Sequence, residues 1–374
     1  MTLRGRLDVF AVEDTAAQLC WPSLPAPELR IRVGDRLVDL EVADPAAPGG
    51  VVVDGLPPST DLEVEISAPG KRPARVASFR TLAPPPGRLL ARIATISDMH
   101  LGEPGFGVFP RIDDPRTGRD RYPYRSTTAA IREAAAWGAD TLVVKGDITW
   151  SGRPGQWALA AEALTASPMP VLAVLGNHDV VPKATDGRMS LARAGIEVDT
   201  EPTAHDLAGV RLVLAHTADY GHRKGHLPAH DRHRIVELAA ASDLPALVAM
   251  HHYPDRFPFP SRYPVGIVLE DGDPFLRELA VRKPDCLVTC GHTHRHRRYW
   301  RRDVDIVEVG STKDYPGVWA GYAVHEGGIR QVVRRILDPE VMAWTQRTAR
   351  SVMGLWGPWA AGRRSWRCFS KTWG

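Results

Sequence analysis

Residues 171–179 read V-L-A-V-L-G-N-H-D, a short apolar run with three polar residues directly after its glycine. Five apolar residues, mostly branched, predict a short buried strand that stops at Gly176. In an open α/β sheet, ligands bind just beyond the carboxyl ends of the strands. We therefore expect Asn177 and His178 to project into the place where such a fold performs its chemistry.

The same succession of an apolar run and polar residues recurs at four other places. The polar residues are Asp98-Met99-His100 after 92–97, Gly146-Asp147 after 141–145, His251-His252 after 246–250, and Gly291-His292-Thr293-His294 after 286–290. If the five strands lie side by side, their ends form one cluster of carboxylate, amide and imidazole groups. A lone histidine is more often structural, but this mixture of ligands is typical of a transition-metal site.

Residues 88–336 alternate strand-like and helix-like segments, which favours a mainly parallel sheet covered by helices. The predicted helices span 127–137, with Ser126 as the N-cap, 154–166, 186–195, 229–242, and 274–281, with Asp273 as the N-cap. Residues 1–83 show alternating apolar and polar residues between turns, which predicts a small all-β sandwich domain. The Pro-rich residues 84–87 predict a stiff linker between the two parts.

The motif order D-x-H, G-D, G-N-H-D, H and G-H-x-H, within about residues 92–310, resembles the calcineurin-like metallophosphoesterases of bacterial type. The resemblance implies an α/β metallophosphoesterase fold, a β-sheet sandwich flanked by helices. It also implies two divalent transition-metal ions, drawn from Mn, Fe, Zn or Co, with one carboxylate shared between them. The implied ligands are Asp98, His100, Asp147 and His294 for one ion, and Asp147, Asn177, His251 and His292 for the other.

Two metal ions about 3.5 to 4 Å apart can stabilise both the attacking and the leaving oxygen of an in-line displacement. The resemblance implies attack on phosphorus by a metal-bound hydroxide, with His178 as the catalytic residue that protonates the leaving oxygen. His252 is an alternative to His251 as a ligand, although the family pattern favours the first histidine. We expect Asp179 to orient either His178 or the turn.

The D-x-H motif and the sequence Met250-His251-His252-Tyr253-Pro254 are most similar to bacterial cyclic-nucleotide and glycerophosphodiester phosphodiesterases. Those enzymes have Pro directly after the second His, whereas Tyr253 is inserted here. Trp150 occupies the position of the tyrosinate ligand of purple acid phosphatases, which excludes that subgroup. We therefore expect a phosphodiesterase, with a phosphomonoesterase as the first alternative. A metal-binding interaction scaffold is the alternative from another class.

Residues 1–83 also resemble a fibronectin type III module. Leu19-Cys20-Trp21 is similar to its buried strand-B tryptophan, and Leu56-Pro57-Pro58-Ser59-Thr60 is similar to its L-x-P-x-T turn. Leu62 replaces the tyrosine that follows this turn, so the tyrosine corner is missing. The module is expected either to bind or space other groups, or to pack against the enzyme.

Residues 337–374 form a C-terminal tail rich in Trp and Arg, with five tryptophans and six Lys or Arg from Val341 onward. Its Met342, Ala349, Val352 and Trp356 have the spacing of one helix face. We favour packing of the tryptophans against the rest of the protein, because Trp is on average highly buried. Self-association and contact with an anionic membrane surface or a nucleic acid are the alternatives.

The overall composition is that of a globular chain, with 374 residues, 44% hydrophobic and 24% charged, and a net charge of +3. This charge is too small to indicate a nucleic-acid partner, and no apolar run is long enough for a transmembrane helix. We expect a small-molecule phosphate ester as the substrate. The four cysteines lack the spacing of a zinc site, and free thiols favour a cytoplasmic location.

Overall fold

The computed structural model describes residues 7–198, 200–257 and 263–374. Its N-terminal part contains seven strands in two antiparallel sheets, ordered β1-β2-β5 and β4-β3-β6-β7. The strands are β1 Asp8–Val12, β2 Ala16–Trp21, β3 Glu28–Val33, β4 Arg36–Glu41, β5 Gly49–Asp54, β6 Asp61–Ser67 and β7 Ala74–Arg80. In β3 every second residue is buried, as expected of a strand with one face on a core. Leu19, Trp21, Ile31, Val64 and Phe79 pack in this core, so the predicted small all-β sandwich is confirmed.

The remainder of the described chain alternates strands with helices. Its strands are β8 Leu89–Ile96, β9 Gly105–Phe106, β10 Ile112–Asp113, β11 Thr141–Lys145, β12 Val171–Val174, β13 Glu197–Val198, β14 Thr203–Leu207, β15 Val210–Ala215, β16 Ala246–Met250, β17 Cys286–Cys290, β18 Arg297–Arg301, β19 Val304–Glu308, β20 Val318–His325, β21 Gly328–Arg335 and β22 Phe369–Thr372. Its α-helices are α1 Tyr122–Ala136, α2 Pro154–Thr165, α3 Arg188–Arg193, α4 Ala229–Ala240, α5 Leu269–Arg282, α6 Pro339–Thr348, α7 Trp356–Ala361 and α8 Arg364–Arg367. Short 3₁₀ helices span Gly118–Asp120 and Val352–Gly354.

Two large sheets form the centre of this part. One has the strand order β13-β12-β11-β8-β20-β21-β22 and the other β14-β15-β16-β17-β19-β18. The first sheet contains four adjacent parallel strands, β13, β12, β11 and β8. The second sheet also contains four, β15, β16, β17 and β19. Val143 of the first sheet and Leu247 and Leu287 of the second lie in one buried cluster, so the sheets pack face to face. The α/β sandwich predicted from the motif order is confirmed.

Helices cover the outer faces of both sheets. Ile131 of α1 and Trp157 of α2 pack with Leu142 of the first sheet, and Ile235 of α4 and Phe275 of α5 pack in the corresponding cluster on the second sheet. Leu142 of β11 faces these helices, whereas the next residue, Val143, faces the other sheet. This is expected, because successive side chains of a strand alternate between its two faces. Both faces of each central strand are buried, which explains why these strands read as continuous apolar runs.

Two predicted helix starts were wrong. Helix α1 begins at Tyr122, so Ser126 lies inside the helix, because Pro123 suits a first turn that needs no backbone N–H. Helix α5 begins at Leu269 and continues through Pro274. Asp273 does not cap this helix and instead forms ion pairs with Arg301 and Arg302.

The C-terminal residues contribute a strand and three helices to the structure. Strand β22 pairs antiparallel with β21, so this segment extends the first sheet. The predicted helix face shared by Met342 and Trp356 was wrong, because α6 ends at Thr348 and Val352 and Met353 adopt positive φ angles of 53° and 54°. The tryptophans differ in exposure: Trp344 is 2% exposed, whereas Trp359 is 51% exposed.

The N-terminal strands and the C-terminal segment meet at the first sheet. Phe10 and Cys20 belong to the same buried cluster as Phe369 of β22. The Arg367 side chain donates a hydrogen bond to the Phe10 carbonyl at 3.0 Å. Among the described residues, no helix is both long and apolar enough to cross a bilayer.

Candidate metal centre

The five predicted polar segments come together where the two large sheets meet. Asp98, Asp147 and Asn177 follow parallel neighbours β8, β11 and β12, and His251 and His292 follow the parallel pair β16 and β17. The carboxyl ends of parallel strands lie at the same edge of a sheet. Packing of the two sheets then places the two sets of polar side chains next to each other.

The first group of side chains comprises two carboxylates and two imidazoles. Asp98, His100, Asp147 and His294 each offer one ligand atom, and these atoms lie within 4.8 Å of one another. His100 Nε2 lies 3.4 Å from Asp147 Oδ2, and His294 Nε2 lies 3.4 Å from Asp98 Oδ1. The two Nε2 atoms are 3.2 Å apart. These four residues are the ones implied by the motifs for one ion.

The second group surrounds His251. Its Nε2 lies 3.2 Å from Asn177 Oδ1 and 3.4 Å from Asp147 Oδ2. His251, His252 and His292 each present a ring nitrogen within 4.8 Å of the other two. The structure thus brings His252, the alternative to His251, into this group together with the four residues implied for the second ion.

Asp147 lies between the two groups. Its Oδ2 is 3.4 Å from His100 Nε2 on one side and 3.4 Å from His251 Nε2 on the other. Its Oδ1 accepts a hydrogen bond from the His178 backbone N–H at 2.8 Å. One carboxylate oxygen therefore faces both groups while the other is held by the neighbouring turn.

Hydrogen bonds outside the site orient several imidazoles. His251 Nδ1 lies 2.8 Å from the Lys145 carbonyl, His294 Nδ1 lies 2.6 Å from Asp314 Oδ2, and His292 Nε2 lies 3.0 Å from the Val265 carbonyl. Since carbonyl and carboxylate oxygens only accept, these ring nitrogens are the donors. In the neutral tautomer, the other nitrogen of each ring then carries a lone pair, as metal-ligating histidines require.

The residues fit a cation, because acceptor atoms face one another in both groups. The His294 lone pair faces Asp98, and the His251 lone pair faces Asp147 and the Asn177 oxygen. Such buried contacts are unfavourable unless a positive charge lies among them. Mixed nitrogen and oxygen donors suit Mn, Fe, Zn or Co.

The pKa values of the histidines in the site are shifted in different directions. Burial, with nearby His178, lowers the pKa of His100 well below its usual value, and burial with nearby His251 lowers the pKa of His292 to about 3. Burial alone would lower the pKa of His251, but the carboxylate of Asp147 outweighs it and raises this pKa to about 9. The field beside Asp147 therefore favours a positive charge at this point of the site.

The backbone at the site is unusual. Asp98, His100, Asp147, His292 and His294 all have positive φ angles between 46° and 68°. This conformation is uncommon for residues other than glycine and clusters at functional sites. Backbone bonds from Asp98 N to the Gly146 carbonyl, at 3.0 Å, and from His100 N to the Asp147 carbonyl, at 2.9 Å, hold two of these residues in place.

Two features require glycine before the shared carboxylate: a positive φ angle and the close approach of a neighbouring side chain. Gly146 has a φ of +84°, and a Cβ there would lie 2.7 Å from His251 Nδ1. A larger residue would displace His251 from Asp147. The G-D motif thus combines a turn that only glycine accommodates easily with the carboxylate that joins the two groups.

His178 lies beside the two groups without taking part in either. Its Nδ1 donates to the Trp150 carbonyl at 2.9 Å, and its ring stacks on Trp150 with centroids 4.8 Å apart. Its ring centroid is 4.4 Å from that of His100. Asp179 accepts backbone hydrogen bonds from Thr149 and Gly176 at 2.7 and 2.9 Å, so it holds the turn and not the His178 ring.

The residues that support His294 were not among those predicted from the sequence. Asp314 accepts from His294 on one oxygen, and its other oxygen accepts from Trp356 Nε1 at 3.2 Å. Lys313 forms buried ion pairs with Glu103 and Asp314. Asp314 lies six residues after β19, whose sequence V-D-I-V-E is interrupted by acidic residues. The pattern of an apolar run followed directly by polar residues, which identified the other residues, is therefore weak here.

A buried cluster of carboxylates and imidazoles at the edge of an α/β sandwich defines a class of metal-dependent hydrolases. The model of the family described as calcineurin-like phosphoesterase matches residues 91–296. This match covers more than half of the chain, and the chain belongs to this family. It is therefore a hydrolase that acts on phosphoric ester bonds.

Similar proteins include two named as phosphodiesterases. The chain is 29% identical over 223 residues to the glycerophosphodiester phosphodiesterase GpdQ of Enterobacter lignolyticus, an alignment that covers 59% of this chain and 77% of that protein. It is 23% identical over 239 residues to a Psychrobacter arcticus protein named "Probable cyclic nucleotide phosphodiesterase", covering 62% and 83% of the two chains. Among solved structures, it is similar to purple acid phosphatase PPD1 of yellow lupin, with 13% identity, a TM-score of 0.49, and coverage of 90% and 72%.

Proposed function

We propose that this protein is a dinuclear metal-dependent phosphodiesterase. The observation that carries the proposal is the position of Asp147 Oδ2, 3.4 Å from His100 Nε2 and 3.4 Å from His251 Nε2. One carboxylate oxygen that faces two groups of acceptors is suited to two cations at once. The printed names of the two phosphodiesterase relatives support a diester as the substrate class.

The residues that would hold the ions are those of the two groups. They are Asp98, His100, Asp147 and His294 for one ion and Asp147, Asn177, His251 and His292 for the other. When bound, two divalent ions polarise the phosphate and lower the pKa of a water molecule that serves as the nucleophile. His252 Nε2 is buried, has no hydrogen-bond partner among the described residues and lies within the second group, so metal analysis of His252→Ala is a necessary control for the assignment of His251 as the ligand.

The chain itself supplies orientation and a proton. The His178 Nδ1 proton is committed to the Trp150 carbonyl, which leaves Nε2 as the atom that exchanges a proton with the substrate. In its imidazolium form, His178 carries a proton on each ring nitrogen. As the bond from phosphorus to the leaving oxygen breaks, the Nε2 proton passes to that oxygen and the neutral ring keeps the Nδ1 proton. Stacking on Trp150 and the contact with His100 keep the ring in place.

A panel of substrates tests this proposal. The metal-loaded protein should hydrolyse bis(p-nitrophenyl) phosphate, cyclic nucleotides or glycerophosphodiesters with a higher kcat/KM than p-nitrophenyl phosphate and other monoesters. A preference for monoesters would instead assign it as a phosphomonoesterase. Full metal occupancy without hydrolysis of any ester would contradict catalysis and favour a metal-binding scaffold.

We also propose the domain boundaries and location given by the sequence. The boundaries are 1–83, 84–87, 88–336 and 337–374, with the first domain of fibronectin type III character. Seven antiparallel strands, a buried Trp21 and a buried Leu56 at the turn support this assignment of the module. All four cysteines are free and buried, which supports a cytoplasmic location.

A further inference from the structure

A cavity of about 630 Å³ opens between β18 and the C-terminal helices α7 and α8. Its walls are mainly guanidinium groups and aromatic rings. They include Arg256, Arg297, Arg298, Arg363, Trp359 and Trp366. None of the described residues that line the cavity is acidic, so an anion would enter it without repulsion from a carboxylate.

The arginines of the cavity differ in their partners. Arg298 forms a bidentate pair with the buried Asp305, so its charge is balanced within the protein. Arg297 and Arg363 form no ion pair with any described carboxylate. Arg363 lies over the Trp366 ring at 5.2 Å. Two guanidinium groups are thus available to bind phosphate oxygens.

Five large apolar side chains are exposed to solvent on the chain segment that leads to this cavity and on the segment paired with it. Their exposed fractions are 57% for Val108, 78% for Phe109, 80% for Met353, 44% for Leu355 and 51% for Trp359. Single exposed apolar residues are normal, but a group of this kind indicates an interaction site.

The exposed side chains lie on two connected segments. Val352 N donates to the Val108 carbonyl at 2.8 Å, and Met353 N donates to the Phe109 carbonyl at 2.6 Å. Trp359 N donates to the Leu355 carbonyl at 3.2 Å within the next helical turn. Trp359 also lines the arginine cavity, so the segments that carry the apolar side chains connect directly to the cavity wall.

We propose that this surface docks on an anionic phospholipid membrane. We call it the docking face and define it by the five exposed apolar side chains together with Arg297 and Arg363. The arginines would bind lipid phosphate groups while the apolar side chains enter the boundary between headgroups and acyl chains, a combination typical of peripheral membrane binding. A nucleic acid would satisfy the arginines but would leave Met353, Leu355 and Val108 without an apolar partner.

The docking face adjoins the metal centre. Trp356 follows Leu355 directly, and its ring centroid is 6.4 Å from that of His294. Phe106, close in sequence to Val108, contacts the same Trp356 ring at 5.3 Å between centroids. Docking would therefore hold the metal centre beside the lipid surface.

Sedimentation with vesicles tests the apolar half of the docking face. The metal-loaded protein should sediment with vesicles of equimolar phosphatidylcholine and phosphatidylglycerol, and not with vesicles of phosphatidylcholine alone. Met353→Asp should weaken this binding by about tenfold or more, because it places a charge in the apolar contact. Val281→Asp is the matched control, since Val281 is 83% exposed on α5 outside the docking face. Equal losses in the two variants would overturn the proposal.

The arginine half has a separate test. Arg297→Ala and Arg363→Ala should each weaken vesicle binding by about fivefold, while the exposed Arg234→Ala on α4 should have no effect. Added salt should weaken binding of the wild-type protein, since exposed charges are screened. Asp147→Ala should still bind vesicles, so the result is independent of the proposed catalytic function.

Three further results would overturn membrane docking. One is a lack of sedimentation with the anionic vesicles at low ionic strength. Another is binding of single-stranded DNA that requires Arg297 and Arg363 and persists in Met353→Asp. The third is a concentration-dependent dimer in analytical ultracentrifugation that Met353→Asp dissociates, which would assign the face to a second copy of this chain.

Discussion

The metal centre and a cluster of charged side chains beside the N-terminal module are both buried, and they are built on opposite principles. In the interface cluster, between the N-terminal module and β21, the Glu13 carboxylate accepts from Arg330 and from Arg334 at 2.9 Å each. Arg330 also pairs with Asp14. In the metal centre, by contrast, His251 Nε2, Asp147 Oδ2 and other acceptors face one another.

The difference separates a structural cluster from a functional one. A buried charge is stable when an opposite charge and hydrogen bonds compensate it, and Glu13 meets this condition with residues of its own chain. The metal centre meets it fully when cations lie among its acceptors. Burial and charge therefore do not distinguish the two clusters, whereas the balance of donors and acceptors does.

The largest effect that we predict concerns His178, which lies beside the metal centre without being needed as a ligand. His178→Ala should keep its metal content and lose about 10²–10⁴ in rate on alkyl phosphodiesters, because the leaving alkoxide needs a proton. The loss should be smaller on nitrophenyl esters, whose leaving group departs readily without one. Steady-state rates on both substrates, with metal analysis, check this prediction.

The exposed His233 of α4 provides the control, since His233→Ala should change neither rate nor metal content. Loss of metal from His178→Ala would show that His178 is a ligand. Equal losses on the two ester types, with metals retained, would assign His178 to charge stabilisation at the phosphate instead.

The next effect concerns the interface cluster and stability. Glu13→Ala leaves Arg330 and Arg334 without their shared carboxylate and should lower the free energy of unfolding by about 3–5 kcal/mol. The metal content and kcat should stay unchanged. Urea denaturation, followed by circular dichroism, measures the loss.

The exposed ion pair between Asp61 and Arg80 is the matched control, with side chains 79% and 59% exposed. Asp61→Ala should lower the free energy of unfolding by about 0–1 kcal/mol. If Glu13→Ala is no more destabilising than Asp61→Ala, the interface cluster does not stabilise the fold to the extent that its burial implies.

The smallest effect that we predict is on metal affinity, and it concerns Asp314, which accepts a hydrogen bond from the proposed metal ligand His294. Asp314→Asn keeps the shape of the side chain beside His294 Nδ1 but removes its charge, and it should weaken metal affinity by about 10–100-fold. Trp356→Phe removes only the indole donor to Asp314 and should have a smaller effect. Competition with a chelator measures both, and unchanged affinity in Asp314→Asn would contradict this supporting role.

The strand ends were predictable because each carries a local signal. A buried strand reads as an apolar run, and the first polar residues after it, such as Asp98 or Asn177, must lie at the sheet edge. The same principle predicted the sandwich of strands and helices, because both faces of a parallel sheet are buried.

The supporting contacts were not predictable, because they join residues far apart in the sequence. Asp314 and Trp356 are 42 residues apart, and Glu13 and Arg330 are 317 apart. No local pattern marks such pairs, since both partners read as ordinary charged or aromatic residues. The start of α1 was misplaced because Pro123 is tolerated in the first turn, where the N–H groups have no partner within the helix. The start of α5 was misplaced because Pro274 lies inside the helix, where a proline is rare.

Metal analysis of the purified protein and of Asp147→Ala tests the central claim most directly. The wild-type chain should bind about two divalent ions. Asp147→Ala should lose both, because the same oxygen faces His100 and His251. A folded Asp147→Ala protein that retains both ions would contradict the shared role of Asp147, and with it the dinuclear centre.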